Sequence, residues 1–250
     1  MRIENPQSRH IPDLRKLWKE AFGDTEDFLD QFFSLAFSPD RCRCVLDGVC
    51  PVAMLYWFDE FCRGQKMAYL YAVATRKDCQ GHGLCRKLME QTHRELHESG
   101  YAGTILIPAS QDLAAMYGRM GYAFAGGAKT ISCTAGASVS LRQVGVSEYH
   151  RLREKFLPAG SVVLEEQYLP FLDTQAEFYA GEDFLLAVQR EETTLDGVEL
   201  LGNPAVAPGI LTALGAESGT FRIPGNEPYA MYHSLDQITP PPTYFGLGFQ

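Results

Sequence analysis

The chain has 250 residues, 46% of them hydrophobic and 21% charged, a globular composition that excludes a disordered, fibrous or coiled-coil protein. Its 22 basic side chains against 31 acidic ones leave a net charge of −9, which disfavours nucleic acid and anionic membrane surfaces as partners and accommodates a cationic one. No apolar run approaches the roughly 18 residues of a membrane span, and the opening MRIENPQSRH lacks the apolar centre of a signal peptide, so the expected location is the cytoplasm.

In Ile11 to Phe22, Leu14, Leu17, Trp18 and Ala21 fall at helical spacing, and Asp24 to Phe37 repeats the pattern after Gly23, so two helices are predicted. Strand-like runs follow at Cys42 to Leu46, Val52 to Phe58 and Lys66 to Thr75, separated by Asp47-Gly48 and Arg63-Gly64, which read as the turns of an antiparallel meander. Gly83 to Glu98 sets Leu84, Leu88, Thr92 and Leu96 four residues apart and stops at Gly100, the pattern of an amphipathic helix. Thr104 to Ile107 reads as a strand, Asp112 to Met120 as a short helix and Tyr122 to Phe124 as another strand.

The glycines and small residues between Ala125 and Ser138 mark the softest composition in mid-chain, so the domain boundary is placed there: residues 1–135 and 136–250. The second part reads as strand (Ser138 to Gln143), helix (Ser147 to Phe156), hairpin (Phe184 to Gln189 with Gly197 to Leu201, around Thr193 to Asp196), helix (Pro204 to Leu214) and two strands (Thr220 to Ile223, Tyr229 to His233). That order loosely echoes the first part. The seven cysteines, an odd number without CxxC spacing, are expected as reduced thiols, with Cys42 and Cys44 on one face of a strand and no metal site.

The chemistry-bearing segment is Val73 to Leu88, VATRKDCQGHGLCRKL, where a strand enters a loop with Gly81 and Gly83 and passes straight into the amphipathic helix. The first amides of a helix have no internal acceptor and sit at the positive end of its dipole, so the main-chain N–H groups of Gly81, His82, Gly83, Leu84 and Cys85 could wrap a pyrophosphate. The pattern is neither a P-loop nor a three-glycine dinucleotide fingerprint, and an ordinary helix start is the alternative.

Gln80-Gly81-His82-Gly83-Leu84-Cys85 resembles the Q/R-x-x-G-x-G/A signature of the GNAT superfamily of acyl-CoA-dependent N-acyltransferases. Met116-Tyr117-Gly118-Arg119-Met120-Gly121-Tyr122 is similar to that family's later Tyr-x-x-x-Gly-Phe/Tyr motif. Within the superfamily the sequence resembles the tandem-domain enhanced-intracellular-survival (Eis) type, through Val73-Ala74-Thr75 and Tyr117-Gly118-Arg119-x-Gly121-Tyr122. The motif resemblance covers about Tyr69 to Phe124.

This resemblance implies an α/β (α+β) fold, a mixed and mostly antiparallel GNAT-type sheet flanked by helices, followed by a second, degenerate GNAT-like domain without a counterpart of QGHG. It implies acetyl-CoA as co-substrate, with main-chain groups of Val73, Ala74 and Thr75 holding the pantetheine arm and thioester, and Gly81, His82, Gly83, Leu84, Cys85 and Arg86 binding the pyrophosphate. Ser110 occupies the place of a cofactor-contacting asparagine. Tyr117 would be the general acid, and the carboxylate of Gln250 could reach the active site as the chain end does in tandem relatives; packing is the alternative for each.

Departures are Cys85 for a small loop residue, Cys79 for an aromatic one and Gln80 for arginine. The missing positive charge could come from Arg76, Lys77, Arg86 and Lys87, with a solvated surface cluster as the alternative. Asp59 and Glu60, expected in the turn after the third strand, are candidate bases or solvated charges. The function expected is acetyl transfer to a primary amine of a small molecule or peptide, in a protein that could be a homo-oligomer; the rival reading is a non-catalytic acyl-CoA-binding module or sensor.

Overall fold

The computed structural model describes residues 1–248. They form two compact units, Met1–Ala123 with Tyr232–Pro240, and Phe124–Met231 with the tail from Pro241. Unit 1 contains β1 (Arg2–Glu4), α1 (Ile11–Phe22), α2 (Glu26–Leu35), β2 (Cys42–Asp47), β3 (Cys50–Cys62), β4 (Gln65–Thr75), α3 (Leu84–Glu98), β5 (Gly103–Leu106) and α4 (Gln111–Gly118).

Strands β1 to β4 form an antiparallel meander in chain order, and β5 pairs with β4 in parallel. The right-handed crossover that a parallel neighbour requires is supplied by α3. The β3–β4 hairpin turns on Arg63 and Gly64, both at positive φ (52° and 75°), as a two-residue turn of this hand demands. Helix α1 stops at Gly23, whose φ of 79° and amide bonded to the Lys19 carbonyl make a left-handed cap.

One face of the sheet packs under α1 and α2 through a run of rings: Trp18 and Phe32 lie 4.5 Å apart, with Tyr56 5.0 Å from Phe32 and Tyr71 5.6 Å from Trp18. The opposite face receives α3, which buries Leu84, Leu88, Met89, Thr92 and Leu96. Arg43 there joins Glu95 of α3 at 2.5 Å and lies over the Trp57 ring. Cys42 and Cys44 share a buried alternation along β2, and all seven cysteines are free thiols.

Two strands, β6 (Ala123–Ala125) and β14 (Ala230–Ser234), each include residues of both units; unit 2 contains β7 (Ala128–Thr134), β8 (Arg142–Gln143), α5 (Val146–Phe156), β9 (Val162–Leu164), α6 (Leu169–Asp173), β10 (Glu177–Ala180), β11 (Phe184–Glu191), β12 (Thr194–Gly202), α7 (Ala207–Leu214) and β13 (Ser218–Pro224). The second sheet is ordered β7-β13-β12-β11-β10-β8. Its hairpin turns at Glu192 and Thr193, and β13 follows β12 in parallel after α7. The division therefore comes at Ala123 rather than near 135, because Ala128–Thr134, in the stretch of softest composition, is a strand that pairs antiparallel with β13. The strand expected over 138–143 is reduced to Arg142–Gln143.

The fold class is thus the expected one: mixed sheets flanked by helices, in two domains. No helix is long and apolar enough to cross a membrane among the described residues.

Candidate active site

The site is built where β4 stops behaving as a regular strand. Tyr71 pairs with Tyr56 and Ala74 with Met54, so two residues of β4, Ala72 and Val73, stand opposite one of β3. Ala72 takes φ of 51° there, an uncommon left-handed conformation for a residue with a Cβ, of the kind that costs of order 1–3 kcal/mol and concentrates at functional sites. Such a bulge re-aims the main-chain groups that follow it. On its other edge β4 pairs with β5 only over Met67↔Gly103, Ala68↔Thr104 and Tyr69↔Ile105, so Val73, Ala74 and Thr75 lie beyond the last rung, where an extended ligand arm can use the open edge.

Past Thr75 the chain makes one turn at Lys77–Cys79 and enters α3 through Gly81 (φ 79°) and Gly83 (φ 74°). A Cβ built on either glycine would meet nothing within 4 Å, so the approach is open and the glycines are required by conformation rather than by crowding. The helical ladder begins at the Gly83 carbonyl, which accepts from the Lys87 amide at 3.1 Å. Among the described residues the main-chain N–H groups of Gly81, His82, Gly83, Leu84, Cys85 and Arg86 make no hydrogen bond. Six open donors at a helix start form the cradle a pyrophosphate needs.

The loop is fixed from outside: Gln80 Nε2 donates to the Thr75 carbonyl at 3.0 Å, and Glu20 accepts from the Lys77 amide at 2.9 Å. Arg76 is committed to Asp78 at 2.6 Å, and this contact keeps the Asp78 carboxyl below its ordinary value. Arg86 and Lys87, both exposed in the first turn of α3, carry the loop's unspent positive charge.

Tyr117 ends α4 almost wholly buried, with its ring edge-on to Tyr122 at 5.8 Å. Burial, with a smaller contribution from the nearby Cys85 thiol, holds its phenol far above the ordinary tyrosine value, so it is a proton donor throughout the neutral range. The Cys85 thiol acts electrostatically on both Tyr117 and Tyr122, and burial pushes it up to about 11. A thiol raised in this way is a poor nucleophile at neutral pH. Ser110 caps α4, its Oγ accepting from the Leu113 amide at 3.2 Å. Gln250 lies outside the described residues.

Asp59 and Glu60 are not turn residues, since β3 runs on to Cys62 and carries both into the interior at 1% exposure. Asp59 accepts from Arg41 Nε at 2.8 Å and from the Tyr101 hydroxyl, with Lys66 Nζ at 3.4 Å. Its pairing with Ala68 puts it toward the hairpin end of β4, away from the bulge; the partly exposed Arg41 and Lys66 neutralise its buried charge.

Residues 2–125 match the family model described as the acetyltransferase (GNAT) domain. This segment is a GNAT acetyltransferase domain. Comparison with curated proteins returns no match. Among solved structures, a GCN5-related N-acetyltransferase from Kribbella flavida is similar over 94% of this chain and 71% of its own, at 19% identity and a TM-score of 0.72. Eis1 from Mycobacterium abscessus is similar over 95% of this chain and 74% of its own, at 11% identity and a TM-score of 0.69. A Pyrococcus horikoshii structure covers 99% of this chain and 95% of that one, at 15% identity and a TM-score of 0.64. At these identities the likeness is one of fold, and it extends through both units of the chain.

In this GNAT domain the two sequence motifs take the positions expected of them, one at the start of α3 and the other at the end of α4. Sequence reasoning missed the bulge at Ala72, since alanine carries no sign of positive φ. It also missed His93, Thr104 and His233, which gather around Tyr122.

Proposed function

We propose that the protein transfers an acetyl group from acetyl-CoA to a primary amine of a small molecule or peptide, directly and without an acyl-enzyme. The observation that carries this reading is the conjunction of the six open amides from Gly81 to Arg86 with the bulged, unpaired end of β4. The first would hold the pyrophosphate, assisted by Arg86; the second would take the pantetheine arm along Val73, Ala74 and Thr75. A main-chain amide freed by the bulge would polarise the thioester carbonyl.

Attack by the neutral amine forms the C–N bond and breaks the C–S bond. The thiolate takes a proton from the Tyr117 phenol, and the ammonium proton of the acceptor leaves to solvent. Neither Cys79 nor Cys85 serves as nucleophile, because both thiols are pushed up by burial.

Unit 2 reads as a degenerate second copy in a tandem arrangement. With the short β9 between α5 and α6 set aside, its order of one strand, two helices, three antiparallel strands, a helix and a parallel strand (β8, α5, α6, β10, β11, β12, α7, β13) repeats that of unit 1. The start of α7 has lost the cradle: Pro204 and Pro208 lack N–H groups, and the Asn203 side chain already takes the Ala205 amide at 3.0 Å.

Calorimetric titration with acetyl-CoA tests the reading, using wild type and Gly83→Asp, which brings a carboxylate to the cradle. Saturable binding lost in the variant, followed by amide formation in an amine screen, supports it. Binding without transfer leaves the acyl-CoA-binding module, and no binding by the folded wild type overturns both.

A further inference from the structure

Four side chains from four separated elements converge behind Tyr117. The Tyr122 hydroxyl lies 2.7 Å from Thr104 Oγ1 on β5 and 2.8 Å from His93 Nε2 on α3. His233, from the late segment that belongs to unit 1, stacks on His93 with ring centroids 4.6 Å apart and planes at 17°, and its centroid is 5.3 Å from that of Tyr122. Its Nδ1 is 3.1 Å from the Gly121 carbonyl. A carbonyl can only accept, so Nδ1 carries the proton and the His233 tautomer is fixed by this contact.

Gly121 has φ of 92°, and a Cβ there would lie 3.0 Å from the His233 ring. His233 therefore clips the turn that joins Tyr117 to Tyr122, where the amides of Met120 and Tyr122 both donate to the Tyr117 carbonyl at 2.8 and 3.2 Å. Tyr122 is 4% exposed, and its ring packs edge-on against that of Tyr117. The Tyr117 hydroxyl has no hydrogen-bond partner among the described residues. No described side chain hydrogen-bonds the phenol, so its ring is set by what it packs against, Tyr122 above all.

We infer that Tyr122 and His233 are positioning residues for Tyr117: Tyr122, locked by Thr104 and His93, sets the ring of the acid, and His233 clamps its turn. This rests on Tyr117 being the general acid, as proposed above. A fixed ring matters because proton transfer to a departing thiolate tolerates little misplacement. It also assigns a purpose to the return of Tyr232–Pro240 into unit 1, since the family-matched segment 2–125 supplies Tyr117, Tyr122, His93 and Thr104 but not His233.

The test is NMR of full-length protein carrying tyrosine labelled with carbon-13 at Cζ, the Tyr117 resonance being assigned by its loss in Tyr117→Phe. Tyr122→Phe removes only the hydroxyl that Thr104 and His93 hold, and His233→Phe keeps a stacked ring but removes the donor to Gly121. In the wild type the Tyr117 resonance is expected as a single line that does not titrate up to pH 10. In both variants it should broaden or divide and begin to titrate, while acetyl-CoA affinity stays within about twofold. An unchanged, non-titrating line in both folded variants overturns the assignment even if their melting temperatures fall, since a purely structural role would lower stability without moving this signal. Acetyl-CoA binding is measured on the same samples, so failure of the acyltransferase reading, no binding by wild type, is distinguished from failure of the positioning assignment.

Discussion

Arg153 and Glu199 face each other inside unit 2 at 2% and 0% exposure, Nε to Oε2 at 2.7 Å and Nη2 to Oε1 at 2.9 Å. The pair is the polar centre of the unit: Tyr149 donates to Glu199 Oε2 at 2.6 Å and Arg153 Nη1 to the Val162 carbonyl at 3.2 Å. Removing one partner leaves the other charge buried without its counterpart, which costs about 3–5 kcal/mol. Arg153→Leu is therefore expected to lower the urea midpoint steeply. The double variant Arg153→Leu with Glu199→Leu should lose less than the sum of the two single changes, because no lone charge is left behind. Equilibrium unfolding of the three variants checks this, and strict additivity would count against the pair being coupled.

Tyr117→Phe retains the ring and removes the proton. As general acid, the residue should contribute about 10²-fold or more to turnover, with the KM for acetyl-CoA within about twofold of wild type, since the cradle lies on α3. The burial that holds the phenol above its ordinary value also predicts that wild-type turnover does not fall off on the alkaline side up to pH 10. Steady-state rates across pH on an amine found by screening decide both points; a rate unchanged by the substitution would remove Tyr117 from the mechanism.

Legibility in the sequence followed the strength of each local signal. The span Ile11–Phe22 was readable to the residue, since its apolar face is regular and Gly23 supplies a left-handed stop. The strand Ala128–Thr134 was not: most of its side chains are exposed, and it pairs on one edge with a strand that comes more than eighty residues later in sequence. Asp59 and Glu60 looked like turn residues because charges are usually solvated, and Arg41, Tyr101 and Lys66, which make their burial tolerable for Asp59, are distant in sequence. At the site, the glycine loop and the tyrosine motif are local and were readable. The partnership of His233 with Gly121 spans 112 residues and exists only in the fold.

His93 ties stability to pH. Burial first, and the neighbouring His233 second, push its imidazole down to about 3 in the folded protein, against about 6.5 in an unfolded chain. Below 6.5 the unfolded chain binds a proton that the folded one refuses. The stability present above that pH is therefore lost as pH falls toward 3, at up to about 1.4 kcal/mol per pH unit. His150, also lowered by burial, adds to the same slope. Urea midpoints at pH 7, 6 and 5 should fall in wild type and fall less steeply in His93→Gln; parallel slopes would show that His93 is protonated in the fold.

Gly246 fixes how the apolar tail sits in unit 2. Tyr244, Phe245 and Leu247 are buried, the Thr243 amide donates to the Gly160 carbonyl at 3.0 Å, and the Val162 amide donates to the Tyr244 carbonyl at 3.0 Å. A Cβ on Gly246 would overlap Glu199 Oε1 and the Tyr244 hydroxyl. Glu199 cannot retreat, since Arg153 and Tyr149 hold it from the other side. The backbone of the tail must then move outward. Gly246→Ala is expected to cost about 1–3 kcal/mol by overpacking and to open the segment after Pro242 to limited proteolysis. Gly145→Ala, where a Cβ meets nothing within 4 Å, should stay within about 0.5 kcal/mol of wild type. Equal protease resistance in the two variants would mean that the tail is held by its side chains alone, and the close approach of its backbone to Glu199 would then have no part in docking it.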